Sequence, residues 1–222
     1  MDRLPKHLYF SDGAENDVET LFILESPYEE ELYWEHPCMG QTGKKMSEVL
    51  IQHSDIAIGD LIQHNNPQTR KYALFETFKF PLDESLTHGL DADELFWKHI
   101  KCLDSSLGRK SRDEHNQGLN NFWEENKASF PKTYQICLES SLKLFSNLKE
   151  IVVCGFIAQS IFLNVFQVKD PGYDQDRKKI LVAGKTIDIY FIEHPSAPLY
   201  DNNRPWAFRM QPRPLGKIPR RD

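Results

Sequence analysis

Long apolar runs are missing from this sequence. The longest, Ile151 to Ala158, contains a glycine and falls far short of the roughly 20 residues a membrane-spanning helix needs. The amino terminus, MDRLPKHLYFSDG, has no apolar stretch of the kind that marks a secretory leader, so none is expected. Cysteine is scarce and scattered: Cys38, Cys102, Cys137 and Cys154, with no C-x-x-C among them. That spacing argues against a disulfide framework and against the common zinc and iron–sulfur patterns. A cytoplasmic chain with reduced thiols, no metal and no cofactor is the expectation. Internal repeats and low-complexity tracts are also absent.

What is present is ordinary globular material. Of the 222 residues, 40% are apolar and 27% charged. A chain of this length buries about 70% of its unfolded surface in one α/β domain without a covalent staple. The formal charge of −6 speaks against a nonspecific nucleic-acid coat protein, but its distribution is uneven. Residues 1–60 hold 13 acids against 4 Lys or Arg. Arg204, Arg209, Arg213, Lys217, Arg220 and Arg221 face only Asp222 in the last stretch. Such a tail either tracks phosphates locally or is solvated and without a partner.

Periodicity suggests alternating strands and helices. Thr20–Leu24 reads as a buried strand ending in the turn-like Glu25-Ser26-Pro27. Helical spacing runs over Gly43–His53, a second strand region over Tyr72–Phe80, and a helix over Asp91–Leu103. Ser105–Asn121 is polar and aperiodic, so a loop or an insertion is expected. Pro131–Leu148 reads as a helix with proline near its start, Ile151–Cys154 as a strand, and Ala158 to about Phe166 as a helix. Ile180–Val182 and Thr186–Ile192 read as a hairpin turning at Gly184. The alternation implies a mostly parallel sheet with helices on both faces. Ligands then bind beyond the carboxyl ends of the strands. Two strand ends carry unusual polar sequences, Glu25-Ser26-Pro27-Tyr28 and Glu193-His194-Pro195-Ser196. Their strands are expected side by side, with Glu25 and His194 facing one cleft.

Each block has two readings. His36-Pro37-Cys38-Met39-Gly40-Gln41-Thr42-Gly43-Lys44 either presents backbone N–H groups at a helix start to an anion or base edge, or is a plain loop-to-helix turn. His194 either donates to a developing anion or caps a loop. Phe122 and Trp123 read as packing residues rather than base-stacking ones.

Taken together the blocks are more specific. An apolar strand, E-S-P-Y, H-P-C-M-G-Q-T-G-K, an amphipathic helix, I-V-V-C-G with a following helix, and a terminal strand ending in H-P-S resemble the uracil-DNA glycosylase superfamily. The resemblance runs from about Leu21 to Pro205 and is loose between about 55 and 130. It looks closest to the branch with a G-E-A-P-G first motif. Glu25 and Pro27 match that motif. Pro37, Gly40, Gly43 and Lys44 fall on the P-F-V-G-x-A-G stretch that follows, and His194-Pro195-Ser196 match H-P-S.

The resemblance implies a three-layer α/β/α sandwich with a central, mostly parallel sheet of about four strands. It implies one domain over 1–205, with a basic tail at 206–222. It implies a DNA repair enzyme that flips a deaminated or modified base, uracil by default, and hydrolyses its N-glycosidic bond, with DNA as partner. Glu25 would face the sugar cation and His194 the departing base. Ser26, Pro27, Tyr28, Cys38, Gly40, Gly43 and Glu76 would line the substrate site, Ser196 a phosphate, and Leu199 the vacated stack. The chain departs from the pattern in several places. Leu24 and Tyr28 stand where the motif has glycines. A tyrosine there is similar to the D-P-Y form of another branch, which would put Ser26 at the carboxylate position. Cys38 replaces a stacking phenylalanine, and Glu76-Thr77 take the place of a base-reading asparagine. Of the cluster cysteines carried by some relatives, only Cys137 resembles one. A catalytically inactive module of the same fold, binding nucleic acid, nucleotide or protein, is the alternative.

Overall fold

The inner strands owe their positions to apolar residues on both faces. The computed structural model describes residues 7–26, 29–78, 82, 120–126, 130–167, 178–182, 184–192 and 194–195. In chain order the elements are β1 (Leu8–Phe10), β2 (Thr20–Leu24), α1 (Glu29–Trp34), α2 (Gln41–Ile51), α3 (Ile58–Gln63), β3 (Tyr72–Glu76), α4 (Phe130–Leu144), β4 (Glu150–Cys154), α5 (Phe156–Val165), β5 (Lys178–Val182) and β6 (Lys185–Ile192). Residues 120–126 form a further short helical segment.

Six strands make one mixed sheet in the order β1-β3-β2-β4-β6-β5. The four inner strands run parallel, with Leu24 opposite Glu76, Ile23 opposite Val153, and Val153 opposite Phe191. The outer strands β1 and β5 are antiparallel to their neighbours. The sequence predicts a mostly parallel sheet of about four strands; the two antiparallel edge strands enlarge it to six. β2 and β6 are not side by side as expected, because β4 lies between them.

Side-chain alternation divides the core into two layers. Leu21, Ile23, Ala73, Phe75, Ile151, Val153, Ile187 and Ile189 pack against Tyr134, Leu138 and Leu142 of α4, Ile161 and Phe162 of α5, and Phe122. Phe22, Leu24, Tyr72, Leu74, Val152, Cys154, Tyr190 and Ile192 pack on the other face against Met46 of α2 and Ile58 and Ile62 of α3. Residues at i and i+2 share a face, so strands covered on both sides need apolar side chains throughout. Phe122 is buried within an aromatic group of Phe78, Trp123 and Phe130, which agrees with the packing reading.

Element ends differ from the sequence reading in instructive ways. β3 stops at Glu76 rather than Phe80, and α4 stops at Leu144 rather than Leu148. α5 starts two residues before Ala158 because Gly155 turns the chain directly from β4 into the helix. β1, α1 and α3 were not predicted. β1 has 3 residues, and α1 and α3 have 6 each, too few to display a period. The expected helix over Asp91–Leu103 lies outside the described residues, as does nearly all of the expected loop that follows it. Among the described residues, no helix is long and apolar enough to cross a membrane.

Candidate active site at the carboxyl ends of the parallel strands

Parallel pairing places four strand exits on one edge of the sheet. β2 gives way to Glu25 and Ser26, β3 ends on Glu76 and continues into Thr77, β4 gives way to Gly155, and β6 leads to His194. Glu25 and His194 therefore follow strands two spacings apart, about 9–10 Å between axes.

Glu25 is held by the neighbouring β4–α5 unit. Its Oε1 accepts the backbone N–H of Ile157 at 2.9 Å. That N–H lies in the first turn of α5, where no intrahelical acceptor exists, and the positive helix end favours a carboxylate. Gly155 makes the approach possible. Its φ is +89°, and a Cβ there would lie 2.4 Å from Glu25 Oε1. The Glu25 carbonyl also accepts Phe78 N–H at 3.0 Å. Beside it, the Leu24 carbonyl accepts both Thr77 N–H and Thr77 Oγ1–H. The Glu25 carboxylate thus caps a helix, with one oxygen engaged by α5.

A second group converges from α1, the 36–40 loop and β3. Glu31 is 9% exposed, and its Oε1 accepts the N–H of Cys38 at 2.7 Å. Cys38 is buried in a left-handed conformation with φ 56°, and its Sγ lies 3.6 Å from Met46 Sδ. Its carbonyl accepts Gly59 N–H at 3.1 Å. A Cβ on Gly43 would come 1.8 Å from that same carbonyl oxygen, and one on Gly59 would come 2.0 Å from the Pro37 carbonyl. Both glycines let α2 and α3 close around this loop, a packing role for Gly43. Gly40 caps α2 through its backbone position alone, with no side-chain bond.

Glu76 is 3% exposed. Alternation along β3 puts it on the face shared by Tyr72, Leu74 and Cys38. Its backbone is fully used, the N–H donating to the His7 carbonyl and the carbonyl meeting His7 Nδ1 at 2.7 Å. Burial, and then the negative charge of Glu31, push its carboxyl well above the usual carboxylate range. A protonated carboxyl offers one donor and one acceptor, the same hydrogen-bonding pair as an amide. Burial also raises the thiols of Cys38 and Cys154. Glu31, Glu76 and Cys154 add to the effect on Cys38, and Glu25 adds to that on Cys154. Both remain protonated and poor nucleophiles at neutral pH.

The far end of the edge is fixed by α5. Gln159 Nε2 donates to the Ile192 carbonyl at 2.5 Å, and Gly155 N–H donates to the same oxygen at 3.0 Å. These bonds pin the end of β6, two residues before the half-buried His194. Ser26 is half-buried beside Glu25. Pro27, Tyr28, Ser196, Leu199 and the tail at 206–222 lie outside the described residues.

The structure therefore gathers Glu25, Ser26, Glu76 and His194 on one edge. Cys38 and Gly43 sit behind it as buried supports, and Cys38 offers no surface for stacking a base. Sequence reading missed Glu31, Gly155 and Gln159 as positioning groups. Gly155 carried a signal, a glycine directly between strand and helix. Glu31 and Gln159 carried none, since their bonds reach across the fold. Among the described residues, no three His, Cys, Asp or Glu side chains are placed to hold a metal ion. No family model and no curated protein matches the chain.

Proposed function

We propose that the chain is a DNA glycosylase of the uracil-DNA glycosylase type, hydrolysing the N-glycosidic bond of a flipped, deaminated or modified base. One observation carries this reading: the E-S of the first motif, Glu76 and the His of H-P-S leave parallel strands on the same edge. In such a reaction the sugar gains positive character and the leaving base negative charge. Glu25, with Oε1 fastened to α5, has its second oxygen for the cation or for an attacking water. His194 supplies the donor to the base. Glu76, whose carboxyl is raised by burial, supplies a donor and an acceptor for a base edge when it carries its proton. The basic tail supplies phosphate contacts.

The test is a panel of labelled oligonucleotides, each holding one modified base, incubated with the protein and then with alkali. Strand scission at one base supports the reading. Absence of scission across the panel, with measurable binding, selects the second reading: a module of the same fold that binds without turnover. The structural use of Glu25 as a helix cap and the burial of Cys38 favour that alternative.

A further inference from the structure

Tyr33 and Trp34, the last two residues of α1, stand in solvent at 79% and 54% exposure. They pack edge to face on each other, with centroids 5.0 Å apart and planes at 87°. The helix carrying them is fastened to the site by the bond from Cys38 N–H to Glu31. Acids surround the pair in sequence, with Glu29, Glu30 and Glu31 before it and the exposed Glu35 after it. Aromatic faces in a field of negative charge repel phosphate and attract cations, guanidinium above all.

The chain itself carries a matching cation. Six Lys or Arg lie between Arg204 and Arg221, with no acid among them. The described chain ends at Pro195, beyond β6, on the same edge of the sheet from which the chain leaves β2 toward α1. β2 and β6 are about 10 Å apart. The nine residues from Pro195 to Arg204 extend to roughly 30 Å, which is enough to cross that gap. We propose that the carboxyl-terminal segment Arg204–Arg221 docks on α1, with guanidinium groups over Tyr33 and Trp34. Docked there, the segment lies beside the strand ends. A polyanion that takes its cations competes with the contact. This inference does not depend on glycosylase activity.

The test uses the full chain at low salt and a carbodiimide that joins amines to carboxylates in contact, with mass-spectrometric mapping. The expected product links Lys217 to a glutamate of the 29–35 segment, and 0.5 M salt, where the screening length falls to about 4–5 Å, suppresses it. Replacing both rings, Tyr33→Ser with Trp34→Ser, lowers the yield about fivefold or more without changing the melting temperature, since both side chains are exposed. Arg204→Gln with Arg209→Gln and Arg213→Gln, outside the described fold, lowers it likewise. An equal mixture of light and heavy-isotope protein distinguishes the occupant, because links between copies would assign the face to a second chain and overturn the proposal. Absence of any Lys217 link to residues 29–35, or an unchanged yield in both variants, would also overturn it.

Discussion

Gly155→Ala tests the junction on which the candidate site depends. Two costs add. The position has φ +89°, which an L side chain rarely adopts, at about 1–2 kcal/mol. The new Cβ would also lie 2.4 Å from Glu25 Oε1, so the carboxylate must leave Ile157 N–H. Losing a hydrogen bond to a charged group costs about 1.5–3 kcal/mol. The sum is about 2.5–5 kcal/mol. With a urea slope of about 2 kcal/mol/M, the midpoint falls by roughly 1.2–2.5 M at unchanged slope. Glu25→Ala alone loses the same bond and costs about 1.5–3 kcal/mol. In the double variant the collision is gone, because a side chain cut back to its Cβ at position 25 no longer extends toward residue 155 as the carboxylate does. The pair should therefore cost less than the sum of the singles by about 1 kcal/mol or more. Equilibrium urea unfolding of the four proteins, followed by far-ultraviolet circular dichroism, measures this cycle. Strict additivity, or a Gly155→Ala cost under about 0.5 kcal/mol, would refute the close approach of Glu25 to α5.

Other outcomes follow from the same edge. Glu76 is raised by burial, so its contribution to stability is full below the unfolded value of about 4.5 and is lost as pH rises through the folded value. Glu76→Gln should accordingly flatten the decline in melting temperature above about pH 5, and parallel pH profiles for the two proteins would contradict the assignment. Cys38 and Cys154, buried with raised thiols, should alkylate far more slowly at about pH 8 than the half-buried Cys137 and react quickly once urea unfolds the chain; mass spectrometry after iodoacetamide reads this directly. If the panel finds a substrate, His194→Ala should lower turnover by about 10²–10³-fold. Glu25→Gln should act on turnover more than on DNA affinity. Loss of scission in Ser26→Ala with an active Glu25→Gln would move the catalytic position to Ser26.

Local patterning was enough to locate the inner strands and, among the described residues, the three larger helices, because both faces of β2, β3 and β4 are covered and α2, α4 and α5 are long enough to show a period. It also set Glu25, Ser26 and His194 just beyond the ends of apolar strands, and the parallel pairing of β2, β4 and β6 puts those ends on one edge. Strand order was beyond its reach. A pattern makes each strand apolar but says nothing about its neighbour, and β4 enters between β2 and β6 although it lies more than a hundred residues after β2. The assembled fold settled, too, that Glu25 caps a helix 132 residues away and that Glu31 holds the amide of Cys38. It raised the carboxyl of Glu76, a glutamate like any other in the sequence. Burial and a neighbouring carboxylate are properties of a place in space, and only folding brings those groups to the same place.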